Sequence, residues 1–307
     1  MRIIRTVSKM KAAARAGRAA GRTIGLVPTM GYLHEGHLSL VRASRAATDV
    51  TVVSSFVNPA QFGPREDFAS YPRDHARDEA LLREAGTDYL FAPSAEEMYP
   101  PGYKTYVEVQ DLQGVLCGAS RPGHFRGVCT VVLKLFEIVR PDAAFFGQKD
   151  AQQALILKRM AEDLNLDVRI DVRPIVREAD GLAMSSRNVY LSAEERRAAL
   201  VLSRSLARAR EMIASGERRA EAILGEMRDV VGREPRARLD DLAAVETGGL
   251  TPVAEVGEGT LIALAVYIGR TRLIDNMIVV TYVELEDEEN EFHMPKVVLL
   301  DPGNHPK

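Results

Sequence analysis

The amino-acid sequence predicts an α/β protein: a parallel sheet wrapped by helices, followed by a smaller α+β domain. Three observations carry this. Short β-branched runs alternate with longer segments of helical periodicity up to about residue 180. Beyond that point the alternation gives way to an Ala/Arg/Glu-rich helical stretch and then to short strands. With 307 residues, 46% of them hydrophobic, the chain can build one large or two medium cores.

Taken in order, Val7–Arg18 reads as a helix ahead of the first strand, Thr23–Val27. Val50–Phe56, Asp88–Ala92, Ala143–Phe146 and Val168–Val172 read as further strands, because each is short, apolar and rich in β-branched or aromatic residues. Gly36–Ala47, Arg73–Ala85, Val128–Arg140 and Ala151–Leu164 carry helical periodicity between them. Strands separated by helices form parallel sheets, whose ligands sit beyond the carboxyl ends of the strands at a switch in strand order. A boundary near residue 180 divides a domain of 1–180 from one of 181–307. The second contains helices over Ala193–Met212 and Arg218–Val231 and strands at Leu242–Glu246, Leu261–Tyr267 and Met277–Val283, with the acidic run Glu284–Glu291 as a solvated tail.

Composition excludes several classes. A formal charge of -3, with basic residues scattered along the chain, provides no field for nucleic acid. No stretch approaches the roughly 20 apolar residues of a membrane span, and Met1–Gly21, though basic, has no long apolar core. Cys117 and Cys129 fit neither a zinc ribbon nor a redox pair, so reduced thiols of a cytoplasmic protein are expected.

The most informative stretch is Pro28–His37, PTMGYLHEGH, where the first strand gives way to a helix. A helix N-terminus with unpaired N–H groups is a ready anion site, and His34 and His37, three apart, share a face once the helix has begun. Two imidazoles at a positive helix end suit a polyphosphate. Metal ligation competes poorly, because the zinc-protease pattern needs His at i and i+4; a pair of surface histidines is the plainer alternative.

Other polar clusters also follow strands. Asn58–Gly63 places Gln61 at the sheet's carboxyl edge. Gly147–Asp150 combines close backbone approach at Gly147, a point charge at Lys149 and a capping or ribose-accepting Asp150, with Gln153 one turn further on. Capping explains Asp150 but leaves Lys149 as a cation at a positive helix end, which a bound anion would justify. Met184–Asn188 offers hydroxyls and a guanidinium on a polar loop, and Arg121–Gly127 a second cationic, glycine-flanked loop. Each has an ordinary reading as a turn; their joint placement at strand ends favours nucleotide chemistry.

Together these residues resemble the pantothenate synthetase family, ATP-dependent ligases of the nucleotidyltransferase superfamily with a His-x-Gly-His motif and a Rossmann-like sheet. The resemblance runs through Pro28–His37, Phe56–Gly63, Tyr71–Arg73, Gly123–Val128, Gly147–Asp150 with Gln152 and Gln153, Met184–Asn188 and Thr271–Asn276. It implies that pantoate attacks the α-phosphorus of ATP, that pyrophosphate leaves, and that β-alanine then attacks the pantoyl adenylate to give pantothenate and AMP. Carried over by position, it implies an ATP site of Met30, Gly31, Tyr32, Leu33, His34, Glu35, Gly36, His37, Gly147, Gln148, Lys149, Asp150, Val176, Met184, Ser185, Ser186 and Arg187. His37 is the implied proton donor, with His34, Lys149 and Arg187 as charge-stabilising partners, while Gln61 and Gln153 hold pantoate. It further implies Mg2+ accompanying ATP, through ligands the motifs do not name, a homodimer, and a C-terminal domain acting as a lid. Gln148 and Ala151 depart from the Glu and aromatic residue common at those positions. Two other readings stand beside it. One is a nucleotidyltransferase with a phosphate-bearing acceptor, which would need cations where Gln61 and Gln153 stand. The other is a non-catalytic nucleotide sensor, which would need neither glutamine.

Overall fold

The computed structural model describes residues 1–64, 66–280, 282–283 and 297–298. The acidic run Glu284–Glu291 lies outside the described residues. Contacts divide the chain into two units: Met1–Val176 with Met184–Val189, and Arg177–Ala183 with the chain from Tyr190 onward. The sequence reading has one crossing near 180, whereas the chain leaves the first unit after Val176, returns for Met184–Val189 and leaves again.

The first unit is built on six parallel strands: β1 (Arg2–Ile4), β2 (Ile24–Thr29), β3 (Val50–Ser55), β4 (Tyr89–Phe91), β5 (Ala143–Gly147) and β6 (Arg169–Arg173), in the order β1-β4-β3-β2-β5-β6. The chain therefore builds outward from β2 in one direction and from β5 in the other, and the switch point lies between them. β2 pairs with β3 along its whole length, from Ile24↔Val50 to Thr29↔Ser55, but with β5 only at Gly25↔Ala143 and Leu26↔Ala144. The carboxyl ends of β2 and β5 thus part, and a crevice opens where the fold rule places a ligand.

Helices α1 (Val7–Ala19), α2 (Glu35–Ala47) and α3 (His75–Glu84) connect the first strands; the short α4 (Ala95–Met98) and α5 (Cys117–Ser120) precede α6 (His124–Val139) and α7 (Ala151–Asp163). α2 lies across β2, β3 and β5, and α6 packs against α1, α7 and β2. Val27, Leu33, Leu40, Val41, Leu82 and Phe145 form one fully or nearly fully buried core between these elements. Three expectations shift. β1 has no counterpart in the sequence reading, because it holds only two apolar residues, Ile3 and Ile4, beside the basic Arg2. α3 starts at His75 rather than Arg73, since the Asp74 side chain accepts from the Arg77 N–H and fixes the cap. α6 begins at His124, four residues before the expected Val128, because Gly123 takes the left-handed conformation (φ +80°) that launches the helix.

The second unit packs α8 (Ala193–Ala199), α9 (Val201–Ala214) and α10 (Ala220–Gly232) with an antiparallel sheet, β7 (Ala237–Val245), β8 (Leu261–Ile268) and β9 (Thr271–Ile278), in the order β7-β8-β9. The single helix expected over Ala193–Met212 is two, parted at Leu200, where the turn tightens and the Leu200 N–H reaches the Arg197 carbonyl. Asp275 on β9 is buried and takes a two-pronged ion pair from Arg177 at 2.7 and 3.0 Å.

Candidate active site

At the end of β2 the Thr29 hydroxyl donates to the Ser54 carbonyl (2.7 Å) and accepts from the Gly31 N–H (3.2 Å). The chain then turns through Gly31 and Tyr32 with positive φ (+81° and +48°). Asp78 on α3 receives the Tyr32 and Leu33 N–H groups, each at 2.7 Å, on its two carboxylate oxygens. Burial raises the Asp78 carboxyl above its ordinary value, against the pull of those two bonds.

His34 forms the N-cap of α2, and its backbone N–H donates to His37 Nδ1 at 3.3 Å. The imidazole rings sit 4.1 Å apart. A Cβ at Gly36 would meet the His34 ring at 3.0 Å, so the glycine lets that ring lie close to the helix start. Burial, and then the charges of His34 and Lys149, hold the His37 pKa well below its ordinary value. His37 is therefore neutral at pH 7; with Nδ1 accepting, Nε2 carries the ring proton and is the donor.

The opposite wall follows β5. Gly147, Lys149, Asp150 and Gln153 all line the cleft. Asp150 stands at the N-cap position of α7 but its side chain makes no capping bond, and its carboxylate lies 3.8 Å from Lys149 Nζ. The returning segment closes a third side with Val176 and Met184–Arg187. It is tied in by the Met184 N–H to the Val176 carbonyl (3.0 Å), by Ser186 Oγ to the Tyr32 carbonyl (3.1 Å), and by Arg187, which grips Asp67 with two bonds of 2.9 Å.

The floor is an amide network. Asn58 is fully buried; its Oδ1 accepts from the Ala60 N–H (3.3 Å) and the Tyr99 hydroxyl (2.8 Å), and its Nδ2 donates to the Gly127 carbonyl (3.0 Å) and to Gln61 Oε1 (3.0 Å). A backbone N–H only donates and a carbonyl only accepts, so the Asn58 amide has one orientation. Gln61 then has one too: its oxygen is taken, and its NH2, 3.2 Å from Met30 Sδ, is what it presents to a ligand. The Gln61 carbonyl accepts from His124 Nδ1 (2.8 Å), because Arg121 Nη1 donates to His124 Nε2 (3.0 Å) and leaves the proton on Nδ1. Burial and the Arg121 charge push the His124 pKa down to about 4. Arg121 is itself held by both oxygens of Glu66. Val128, Val131 and Leu135 of α6 supply an apolar side.

The cleft encloses about 1380 Å³ including solvent at its mouth. It brings together Met30, His34, Gly36, His37, Gln61, Gly147, Lys149, Asp150, Gln153, Val176, Met184, Ser185, Ser186 and Arg187 from the sequence-based set. Five others do not line it. Leu33 is fully buried in the core, and Gly31 and Tyr32 turn their N–H groups to Thr29 and Asp78. Glu35 is exposed and ion-paired with Arg42, and Gln148 is buried. Asn58, Tyr71, Arg121 and His124 line the cleft and are absent from that set. Their segments, the Asn-Pro turn, Tyr71–Arg73 and the cationic glycine loop Arg121–Gly127, carry no local sign of the partners that bring them to the cleft. Among the described residues no group of three or more His, Cys, Asp or Glu is placed to hold a metal ion, and no helix is long and apolar enough to cross a membrane.

The family model for pantoate-beta-alanine ligase matches residues 2–278. A pantothenate synthetase from Heliobacterium modesticaldum is 61% identical over 279 residues, covering 91% of this chain and 99% of the relative. The crystal structure of pantothenate synthetase from Thermus thermophilus superposes with a TM-score of 0.86 at 47% identity, over 91% of this chain and 99% of that one. Pantoate-beta-alanine ligase from Francisella tularensis, solved in complex with beta-gamma ATP and beta-alanine, superposes with a TM-score of 0.76 at 33% identity, over 91% and 97% of the two chains. By sequence match along nearly its whole length, and by fold, the chain belongs to the pantoate-beta-alanine ligase family.

Proposed function

We propose that the cleft joins pantoate to β-alanine at the expense of ATP. The pantoate carboxylate oxygen bonds to the α-phosphorus and pyrophosphate departs, leaving a pantoyl adenylate. The β-alanine amine then attacks the acyl carbon, AMP departs, and the amine loses its proton. The observation that carries this reading is the meeting, in one cleft at the strand switch, of four cation-capable side chains with two neutral amides: His34, His37, Lys149 and Arg187, and Gln61 and Gln153.

The chemistry needs no protein nucleophile, since pantoate brings its own. What remains is alignment and neutralisation of charge moving onto pyrophosphate. His37, neutral with a proton on Nε2, donates to phosphate oxygen; the triphosphate's charge raises the ring's pKa and lets it take up a proton as ATP binds. Lys149 and His34 stabilise the leaving pyrophosphate, and Arg187 does so from the Met184–Arg187 segment. Gln61 offers N–H alone, which suits carboxylate and hydroxyl oxygens without withdrawing electron density from the nucleophile as a cation would. The valine and leucine side chains of α6 flank it, and Gln61 and Gln153 stand in the cleft where a phosphate-bearing acceptor would call for cations, which speaks against such an acceptor.

Mg2+ would accompany ATP in this reading, with Asp150 the carboxylate in the cleft that would help to hold it. It supplies charge neutralisation on the triphosphate. A homodimer, a cytoplasmic location and a lid role for the second unit belong to the same proposal. Incubation with ATP, Mg2+ and pantoate, with and without β-alanine, tests it. Pantothenate and AMP form together only in the full mixture; AMP without pantothenate in that mixture would defeat the assignment.

A further inference from the structure

Asp78 is 2% exposed and does not line the cleft, yet both of its oxygens are committed to the histidine turn, one to the Tyr32 N–H and one to the Leu33 N–H, each at 2.7 Å. A buried carboxylate is costly unless its bonds replace water. Here they stabilise a turn in which Tyr32, a non-glycine residue, takes φ +48°. The same Tyr32 residue is held at its carbonyl by Ser186 Oγ at 3.1 Å. One residue of the turn is thus fixed at its N–H by α3 and at its carbonyl by the segment bearing Arg187. Two residues later α2 begins with His34 as its cap.

We infer that Asp78 is a positioning residue: it sets the start of α2, and through it the aim of the His34 and His37 rings at the phosphates, with Tyr32 linking this setting to Ser186. The inference rests on the adenylate-forming reading of the cleft. It does not make Asp78 a catalytic residue, because Asp78 touches backbone and not substrate. Loss of either bond tilts the first turn of α2, and imidazoles in van der Waals contact with one another move together.

Asp78→Asn is nearly isosteric. Its amide oxygen keeps one N–H, while its NH2 faces the other, donor against donor. A second variant reaches the same turn independently: in Gly31→Ala, at φ +81°, the new Cβ would meet Ser55 Oγ at 2.8 Å and Asp78 Oδ2 at 3.1 Å. Pantoate-dependent exchange of pyrophosphate into ATP is measured for the full-length enzyme and both variants, with the active fraction found by burst titration of adenylate. The expected result is a kcat lowered about 10- to 100-fold per active site, a size set by small misplacement of reacting groups, with the KM for pantoate within about twofold of wild type. The double variant loses less than the product of the single losses, because both act on one turn. Wild-type kcat in Asp78→Asn, or a kcat that recovers fully once the active fraction is counted, overturns the inference. If Asp78→Asn does not fold, Gly31→Ala decides by the same criteria. Absence of exchange in the wild-type enzyme would instead count against the reading of the cleft.

Discussion

Gly127→Ala sets two magnitudes against each other. In an isolated helix the change would stabilise α6 by about 1 kcal/mol, the usual advantage of Ala over Gly. In this fold the new Cβ would lie 2.2 Å from the Ala60 carbonyl oxygen and 2.6 Å from the Gln61 backbone nitrogen. Both are backbone atoms, so no side chain can swing away, and relief demands that α6 and the Asn58–Gln61 turn separate by about 1 Å to restore van der Waals contact. Overpacking of this kind costs about 1–3 kcal/mol, and the bond from Asn58 to the Gly127 carbonyl, worth about 1 kcal/mol, is lost with it. The clash outweighs the propensity gain, leaving a net loss of about 1–3 kcal/mol by the same arithmetic. Function suffers more: a shift of about 1 Å in Gln61 lowers the pantoate-dependent rate roughly 10²-fold. ATP affinity stays within about twofold, because the phosphate-facing groups sit on the β2–α2 and β5–α7 turns and on the Met184–Arg187 segment, not on α6. Urea denaturation gives the stability change, calorimetric titration the ATP affinity, and pyrophosphate exchange the pantoate kinetics. A variant more stable than wild type with an unchanged kcat/KM for pantoate would refute the reasoning.

Gln61→Ala should weaken pantoate binding more than ATP binding, since its NH2 is the donor the network leaves for the acid; equal losses in paired titrations would contradict that. Lys149→Ala and His34→Ala should each slow adenylate formation about 10² to 10³, the size of removing a charge-stabilising donor, and unchanged pantoate-dependent pyrophosphate release in both would dismiss those roles. His124 titrates at about 4 in the fold and near 6.5 when unfolded, so the unfolded chain binds the extra proton first. Its contribution is constant above about 6.5 and is lost as pH falls towards about 4. Urea denaturation between pH 7 and 5 should therefore show a shallower loss of stability for His124→Gln than for wild type, and parallel curves would exclude the effect.

Much of this was legible in the chain, and what was not has physical causes. Short β-branched runs and helical periodicity report the parallel sheet because burial on both faces of a strand leaves a continuous apolar run, as in β3, while burial on one face of a helix leaves a period. Periodicity does not register a local tightening such as that at Leu200, where both flanking helices keep their apolar face. In the histidine turn, the family resemblance implies a continuous lining from Met30 to His37, but a tight turn sends alternate groups in opposite directions. Leu33 enters the core and the Tyr32 N–H reaches α3, while Met30 and His34 face the cleft. Asp78 has no sign in the sequence and Asn58 reads only as part of a polar turn, because their partners are distant in sequence: Asp78 meets Tyr32 across 46 residues and Asn58 meets Gly127 across 69. No local pattern encodes such meetings.

The central claim is that the cleft aligns the pantoate carboxylate for direct displacement at the α-phosphorus of ATP. Pantoate labelled with 18O in its carboxylate, turned over with ATP and β-alanine and followed by mass spectrometry of the products, tests it most directly. One labelled oxygen is expected in AMP and none in pyrophosphate. Label in pyrophosphate or inorganic phosphate, with unlabelled AMP, would contradict it.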